Sequence, residues 1–86
     1  MFSFSDTGWE EYLYWQQQDK KTLKKINNLM ESISRDGPLS GIGKPELLKY
    51  SETTQYSRRI DEANHLVYRI DEDRIIIGSC RGHYED

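Results

Sequence analysis

The fold is decided by residues 56–84, which read YSRRIDEANHLVYRIDEDRIIIGSCRGHY. Their β-branched and aromatic residues fall into three short runs, which predict strands at Tyr56–Ile60, His65–Ile70 and Arg74–Cys80. The intervening segments, DEAN and DED, are long enough only for hairpin turns. Neighbouring strands are therefore expected to run antiparallel.

Cationic and titratable side chains are concentrated in and just after these strands. They are Arg58, Arg59, His65, Arg69, Arg74, Arg81 and His83. Side chains two positions apart share one face of a strand, so four of these residues could converge on one surface. The four are Arg59, His65, Arg81 and His83. Such a surface suits a phosphodiester, although composition alone favours a half-solvated sheet whose polar face simply carries charge.

The first half of the chain predicts a short strand and two helices. The strand is the alternating segment Phe2–Phe4, and the first helix extends from about Thr7 to Gln17. The second helix is capped by Asp19 and ends at Gly37-Pro38. Because so few residues join them, the helices should form an antiparallel hairpin. Packed on a small antiparallel sheet, this hairpin gives an α+β fold with one helical layer.

Residues at helical spacing define the expected buried faces of the two helices. In the first helix they are Trp9, Tyr12, Leu13 and Gln16, and in the second they are Leu23, Ile26, Leu29, Met30 and Ile33. Tyr14 and Trp15 lie off the first stripe and belong either to a secondary core or to a protein interface. Four lysines on the second helix, Lys20, Lys21, Lys24 and Lys25, indicate either a solvated face or a nucleic-acid contact.

The segment from Gly37 to Pro45 is interpreted as a connection. Its Gly-Ile-Gly-Lys sequence at 41–44 hints at a phosphate loop, but Pro38 and Pro45 occupy the positions where a Walker motif needs Gly and Ser or Thr. We expect this loop to let Glu46 and Lys49 reach the sheet face. Leu47 and Leu48 should then anchor a short strand in the core.

Length and composition predict one domain, residues 1–86, with a modest core. The single cysteine, Cys80, excludes an intramolecular disulfide, and neither a metal nor a cofactor is expected. No segment approaches the roughly 20 apolar residues of a membrane span, so we expect a cytoplasmic protein without a membrane partner. The net charge of −3 argues against a passive nucleic-acid binder but allows a local cationic site.

Short motifs along nearly the whole chain resemble, in order, the YoeB branch of the RelE-like toxins. They are WEEYLYW at 9–15, DK at 19–20, KKIN at 24–27, G-GKPE at 41–46, LK at 48–49, SRRI at 57–60, LVY at 66–68 and SCRGHY at 79–84. The resemblance implies a RelE-like, microbial-ribonuclease-like domain. It also implies a metal-independent endoribonuclease that cuts messenger RNA on the ribosome as the toxin of a toxin–antitoxin pair. The implied partners are a YefM-like antitoxin that covers the active site and, as a possibility, a second copy of the chain.

RNA can be cut by its own 2′-hydroxyl if a base, an acid and cations are in place. By resemblance, Glu46 is the general base, His83 the general acid, and Lys49 with Arg59 binds the phosphate. The same resemblance gives Tyr84 the role of orienting the substrate or stacking on a base, and makes His65 and Arg81 substrate-binding residues. Taken singly, Glu46, Arg59 and His83 could equally be an exposed loop carboxylate, a surface arginine and a tail histidine.

The chain departs from the family pattern at three places. His65 replaces an arginine, and a histidine is fully charged only below its pKa, near 6.5 when unperturbed. Gly82 replaces an aromatic residue, which predicts a looser tail, and Glu85-Asp86 follow the final His-Tyr. The histidine at 65 and the acidic end keep open a catalytically weak RelE-like interaction module or co-repressor. A third reading, a ribosome-independent ribonuclease, would cut naked RNA.

Overall fold

The computed structural model describes residues 1–48 and 52–82, so Lys49, His83 and Tyr84 lie outside the described residues. Its elements are β1 (Phe2–Phe4), α1 (Asp6–Gln18), α2 (Lys20–Asp36), β2 (Glu46–Leu48), β3 (Gln55–Arg59), β4 (His65–Asp71) and β5 (Arg74–Ser79). Two helices pack on one sheet with the strand order β1-β5-β4-β3-β2. The predicted α+β fold is confirmed, and the three predicted C-terminal strands are found within one residue at each end.

One edge of the sheet differs from the prediction. β2, β3, β4 and β5 pair antiparallel as expected, but β1 pairs parallel with β5, Phe2 lying opposite Ile75 and Phe4 opposite Ile77. The sheet is therefore mixed. The reason is that α1 and α2 carry the chain away from β1 before the antiparallel strands begin, so β1 is free to join from the far edge.

Side-chain caps set the limits of the helices. The Ser5 hydroxyl accepts a hydrogen bond from the Gly8 amide at 3.0 Å, and α1 begins there. Asp19 separates the helices, since its carboxylate accepts from the Lys21 amide at 3.0 Å and from the Thr22 hydroxyl at 2.9 Å. The Thr22 hydrogen bond holds the pKa of Asp19 below its ordinary value. Both caps follow from short polar side chains that satisfy the free amides of a first helical turn.

The core lies between α2 and the sheet. The predicted stripe of α2 is confirmed except at Leu23, which is only half-buried; Ile26, Leu29 and Ile33 are at most 2% exposed. They pack in one cluster with strand residues that include Leu66 and Ile77. About 25 cal/mol per Å² of buried apolar surface makes such a cluster the main stabilising term of a small domain. The described residues include no helix long and apolar enough to cross a bilayer.

The predicted buried stripe of α1 is wrong in part. Trp9 is 48% exposed and Leu13 is 37% exposed, whereas Gly8 is buried and Trp15 packs against the core. A Cβ at Gly8 would collide with the carbonyl oxygen of Ile77, so α1 lies directly against β5 there. This crossing turns α1 away from the orientation that its apolar spacing alone predicts.

The short strand β2 also differs in detail from the prediction. Leu48 is 6% exposed, but Leu47 is 42% exposed and does not anchor the core. Leu48 shares its strand face with Glu46, so it is covered on the side away from the core cluster, and it does not anchor that cluster either.

Candidate active site on the outer face of the sheet

Three of the candidate residues, Glu46, Arg59 and His65, lie on the sheet face turned away from α2. In β4, Leu66 and Tyr68 belong to the core beneath the helices, so the alternate residues of that strand point the other way. We call this second surface the outer face. It is formed by Glu46, Ser57, Arg59, His65, Val67 and Arg69.

Strand register brings three of the predicted site residues together on the outer face. Arg59 lies directly opposite His65 across the β3–β4 pair, which corresponds to a Cβ separation of about 4.5–5.5 Å. Glu46 lies opposite Ser57, two positions from Arg59, so its diagonal distance from Arg59 is about 7–8 Å. Glu46 and Arg59 are exposed and His65 is half-buried. A carboxylate, a guanidinium and an imidazole are therefore within reach of one small ligand.

Arg81 does not join this group. Its guanidinium carbon lies 3.8 Å from the ring centroid of Tyr14 on α1, the geometry of a cation–π contact. The expected convergence of Arg81 with Arg59 and His65 is therefore not seen. Its role in substrate binding stays a prediction. Tyr14, which the sequence left between core and interface, here supports an arginine.

The C-terminal segment approaches the outer face beside His65. The His65 amide donates to the Gly82 carbonyl at 3.0 Å, and the Gly82 amide donates to Asn64 Oδ1 at 2.8 Å. Gly82 has a φ of +81°, a left-handed conformation that favours glycine. Both backbone polar groups of Gly82 are hydrogen-bonded, so the loose chain predicted from this glycine is not found at residue 82.

Sequence reasoning missed Arg58, whose side chain points to the opposite face from Arg59. Arg58 is 0% exposed, and its guanidinium donates five hydrogen bonds, all to neutral oxygen atoms. The acceptors are the Tyr68 hydroxyl (2.9 Å), the Ser32 hydroxyl (2.9 Å) and the carbonyls of Gly37 (2.7 Å), Ser40 (2.5 Å) and Ile42 (2.9 Å). The signal was present in the sequence, because Arg58 alternates with Tyr56 and Ile60.

These hydrogen bonds hold the loop that leads to Glu46. Three of the five acceptors are loop carbonyls, and the neighbouring Arg59 amide donates to the Gly43 carbonyl at 2.7 Å. Gly41 and Gly43 have φ values of +101° and +87°, and a Cβ at Gly41 would collide with the Ser32 hydroxyl. The glycine-rich segment is thus a connection, as the failed phosphate-loop match indicated. The structure adds that this connection surrounds the buried guanidinium of Arg58.

Comparison with known proteins places the chain in a class and then in a family. A family profile described as "YoeB-like toxin of bacterial type II toxin-antitoxin system" matches residues 4–84. Toxin YoeB of Escherichia coli strain K12 is 46% identical over 81 residues, which cover 94% of this chain and 95% of that protein. The chain is a bacterial type II toxin by class. It belongs to the YoeB-like toxin family.

Solved structures agree with this assignment. The structure of a YoeB dimer from Staphylococcus aureus is 54% identical, with a TM-score of 0.89 over 96% of this chain and 95% of that chain. A heterotetrameric YoeB–YefM toxin–antitoxin complex from the same organism is 52% identical, with a TM-score of 0.90 over 98% and 97% of the two chains.

Proposed function

We propose that this protein is a ribosome-dependent endoribonuclease that cuts messenger RNA and so inhibits translation. The observation that carries the proposal is the arrangement on the outer face, where Glu46 lies near the Arg59–His65 pair. A carboxylate beside cations is the combination that in-line attack of a 2′-hydroxyl on its own phosphate requires. Family membership supports the same activity.

The proposed reaction divides its work among five side chains. Glu46 takes the 2′-hydroxyl proton, and the 2′-oxygen attacks phosphorus while Arg59 binds the nonbridging oxygens. His83 gives a proton to the departing 5′-oxygen, which leaves a 2′,3′-cyclic phosphate and a 5′-hydroxyl. Lys49 adds a second cation at the phosphate, and Tyr84 orients or stacks on a base. No metal ion and no cofactor takes part in these steps.

His65 takes the place of an arginine in this scheme. It lies directly opposite Arg59, so an imidazolium there faces the same phosphate. It contributes a full charge only while it is protonated.

The ribosome supplies what the small acidic chain lacks. With a net charge of −3, the protein has little general attraction for free RNA, so a substrate already held by another particle provides the proximity. The lysines of α2 are exposed and available for ribosomal RNA, although a solvated face explains them equally well. Such a protein works in the cytoplasm.

Primer extension on messenger RNA in programmed ribosomes tests the proposal. Glu46→Ala and His83→Ala should each lower the cleavage rate by roughly 10²–10⁴-fold, because a placed acid or base contributes about that much. Thermal melts on the same samples should show an unchanged fold. A Glu46→Ala variant as fast as the parent removes Glu46 from the mechanism, and equal cutting of the transcript without ribosomes replaces the proposal with a ribosome-independent nuclease.

The relatives indicate the partners. We infer from the YoeB–YefM complex that this chain binds a YefM-like antitoxin that covers the outer face, and from the YoeB dimer that it also pairs with itself. Cleavage in the ribosome assay should then fall as a cognate antitoxin is titrated in, with a matching fall in the accessibility of Arg59.

A second candidate, a catalytically weak interaction module or co-repressor, is favoured by the histidine at position 65. It predicts antitoxin binding with no cleavage above the level of Glu46→Ala. The same titration separates the two candidates.

A further inference from the structure

The last described residues, Cys80–Gly82, are fixed by hydrogen bonds from two separate parts of the molecule. One part is helix α1, and the other is the turn that joins β3 to β4. Together, these contacts attach the last described residues to the rest of the domain. The side chains that accept hydrogen bonds from these residues are those of Glu11 and Asn64. None of the chemistry in the proposed reaction uses either side chain, so a different role must explain them.

Glu11 binds two successive backbone amides with one carboxylate oxygen. Its Oε1 accepts from the Cys80 amide at 2.8 Å and from the Arg81 amide at 3.2 Å. One turn further along α1, Trp15 Nε1 donates to the Cys80 carbonyl at 2.8 Å. Helix α1 therefore satisfies both backbone groups of Cys80. Hydrogen bonds to an ionised acceptor are about twice as strong as neutral ones, so this is a firm attachment.

Asn64 holds the next residue from the other side. Its Oδ1 accepts from the Gly82 amide at 2.8 Å, and its own amide nitrogen donates to Asp61 Oδ1 at 3.0 Å. Asp61 also accepts from the Asn64 backbone amide at 2.8 Å, so the Asn64 side chain is oriented from two directions. The His65 amide completes the attachment by donating to the Gly82 carbonyl.

These contacts fix the point and the direction from which the chain leaves toward residue 83. The backbone amides of three consecutive residues, Cys80, Arg81 and Gly82, donate hydrogen bonds to side chains. Gly82 then turns the chain through its left-handed φ of +81°. The Gly82 carbonyl accepts its hydrogen bond from the amide of His65, the residue that lies opposite Arg59. The segment Cys80–Gly82, which precedes the proposed acid, is thus hydrogen-bonded directly to the backbone of His65.

We infer that Glu11 and Asn64 are positioning residues for the general acid of the proposed reaction. They do not touch the reacting atoms; they fix the backbone that leads to His83 relative to the phosphate site. This inference rests on the proposed function. Its physical basis is that a displacement of about 1 Å in a reacting group can lower a rate by about 10²-fold.

The test compares truncating and conservative variants in the programmed-ribosome assay, with kcat and KM measured separately. Glu11→Ala and Asn64→Ala should each lower kcat by roughly 10–100-fold while KM stays within about threefold. Glu11→Gln keeps the accepting oxygen and should restore most of kcat, whereas Asn64→Asp sets a second carboxylate against Asp61, where the Asn64 amide nitrogen donates, and should not. Glu10→Ala, at an exposed neighbour on the same helix, is the matched control and should resemble the parent.

A double-mutant comparison separates positioning from stability. If Glu11 acts through His83, adding Glu11→Ala to His83→Ala should lower kcat no further, because the acid that it places is already gone. Melting curves establish that every variant is folded at the assay temperature. Losses that multiply in the double variant, or a Glu11→Ala kcat equal to that of the parent, overturn the inference.

The same experiment distinguishes this failure from failure of the proposed function. If His83→Ala is inactive while Glu11→Ala and Asn64→Ala are fully active, the proposed reaction stands and the positioning role is wrong. If His83→Ala cuts as fast as the parent, the acid assignment itself is wrong and the positioning role falls with it.

Discussion

Arg58 and Arg59 are neighbours in the sequence, but the two faces of the sheet give them opposite roles. Arg58 faces the helices, is 0% exposed and donates five hydrogen bonds, which matches the five N–H groups of a guanidinium. Arg59 is exposed on the outer face beside His65. A cation whose donors all bind the protein has none left for a phosphate. Strand parity therefore decides which of two identical side chains can act on a substrate.

The two arginines are also connected through the backbone. The Arg59 amide donates to the Gly43 carbonyl, in the same loop that Arg58 holds through its carbonyl acceptors. The covered face thus determines where the loop ends and β2 begins, and with it the position of Glu46. The two faces thus divide the roles: Arg58 holds the loop that leads to Glu46, and Arg59 stays exposed for the role proposed for it at the phosphate.

Replacing each arginine by methionine should give the largest contrast. Arg58→Met leaves buried acceptors unpaired, each worth about 1–3 kcal/mol, so we expect a loss of at least about 3 kcal/mol in the free energy of unfolding. Arg59→Met should change that free energy by no more than about 0.5 kcal/mol and still abolish most cleavage. Denaturant titration measures both values. Equal stabilities for the two variants would contradict the assigned division.

Arg58→Lys sharpens this test, because it keeps the charge and removes the fork. A lysine has three donors at one point and cannot reach acceptors spread around a guanidinium, so it should restore only a small part of the lost stability. Recovery of the parent's stability would show that charge alone matters at this position.

Gly8→Ala probes how closely the helical layer approaches the sheet. The added Cβ would collide with the Ile77 carbonyl oxygen, and relieving that contact should reduce the free energy of unfolding by about 1–3 kcal/mol. Gly78→Ala is the control, since its Cβ would lie 3.6 Å from the Val67 carbonyl oxygen, an ordinary contact. If thermal melts show the two variants equally stable, the close crossing of α1 over β5 is wrong.

His65→Arg tests the outer face alone. If His65 faces the phosphate, its contribution fades as pH rises through the imidazole pKa, and a permanent charge should then help by at most about 1–2 kcal/mol in the barrier. The ratio of variant to parent cleavage rates should rise between about pH 6 and 9. Taking the ratio removes the titration of His83, which both proteins share. A flat ratio would place His65 outside the site, as a residue that only closes the turn after Asn64.

Cys80 gives the smallest expected effect. Its thiol is buried in the core and should not react with thiol reagents in the folded protein. Burial, together with the nearby Glu11 carboxylate, raises the pKa of its thiol to about 12. Between about pH 9 and 12 the unfolded chain loses this proton and the folded chain keeps it, so this group's contribution to stability falls as pH rises through that range. A thiol reagent at about pH 9 should modify the denatured protein at once and the native protein only as it unfolds.

Most of the fold could be predicted because its signals are local. Asp19 and Gly37 end or begin helices through contacts within a few residues, and the strands after residue 55 show apolar alternation between tight turns. The burial of α1 could not be read in the same way, since it depends on the approach of Gly8 to a strand nearly 70 residues later. A periodic pattern describes a helix but does not say how the helix crosses its neighbour.

The candidate site was predictable to the extent that it depends on strand parity. Parity placed Arg59 and His65 together, and the register of β2 added Glu46. Parity fails for Arg81, which follows the last strand and turns to Tyr14 instead. Parity also separated Arg58 from Arg59, but it did not reveal that Arg58 is buried, because a fully buried arginine is rare.

The parallel pairing of β1 with β5 has a consequence for how the chain becomes a toxin. The Ser5 hydroxyl donates to the Gly78 carbonyl across 73 positions of sequence, so β1 has no strand partner until β5 has been made. Contacts of such long separation form late and slowly, because the loop between them must close first. During synthesis, β1 must wait for β5, and Glu11 and Asn64 must wait for Cys80–Gly82, the segment that they bind. A chain made only as far as β4 therefore lacks both the parallel β1–β5 pair and the attachment of Cys80–Gly82, and the proposed active site is not assembled at that stage.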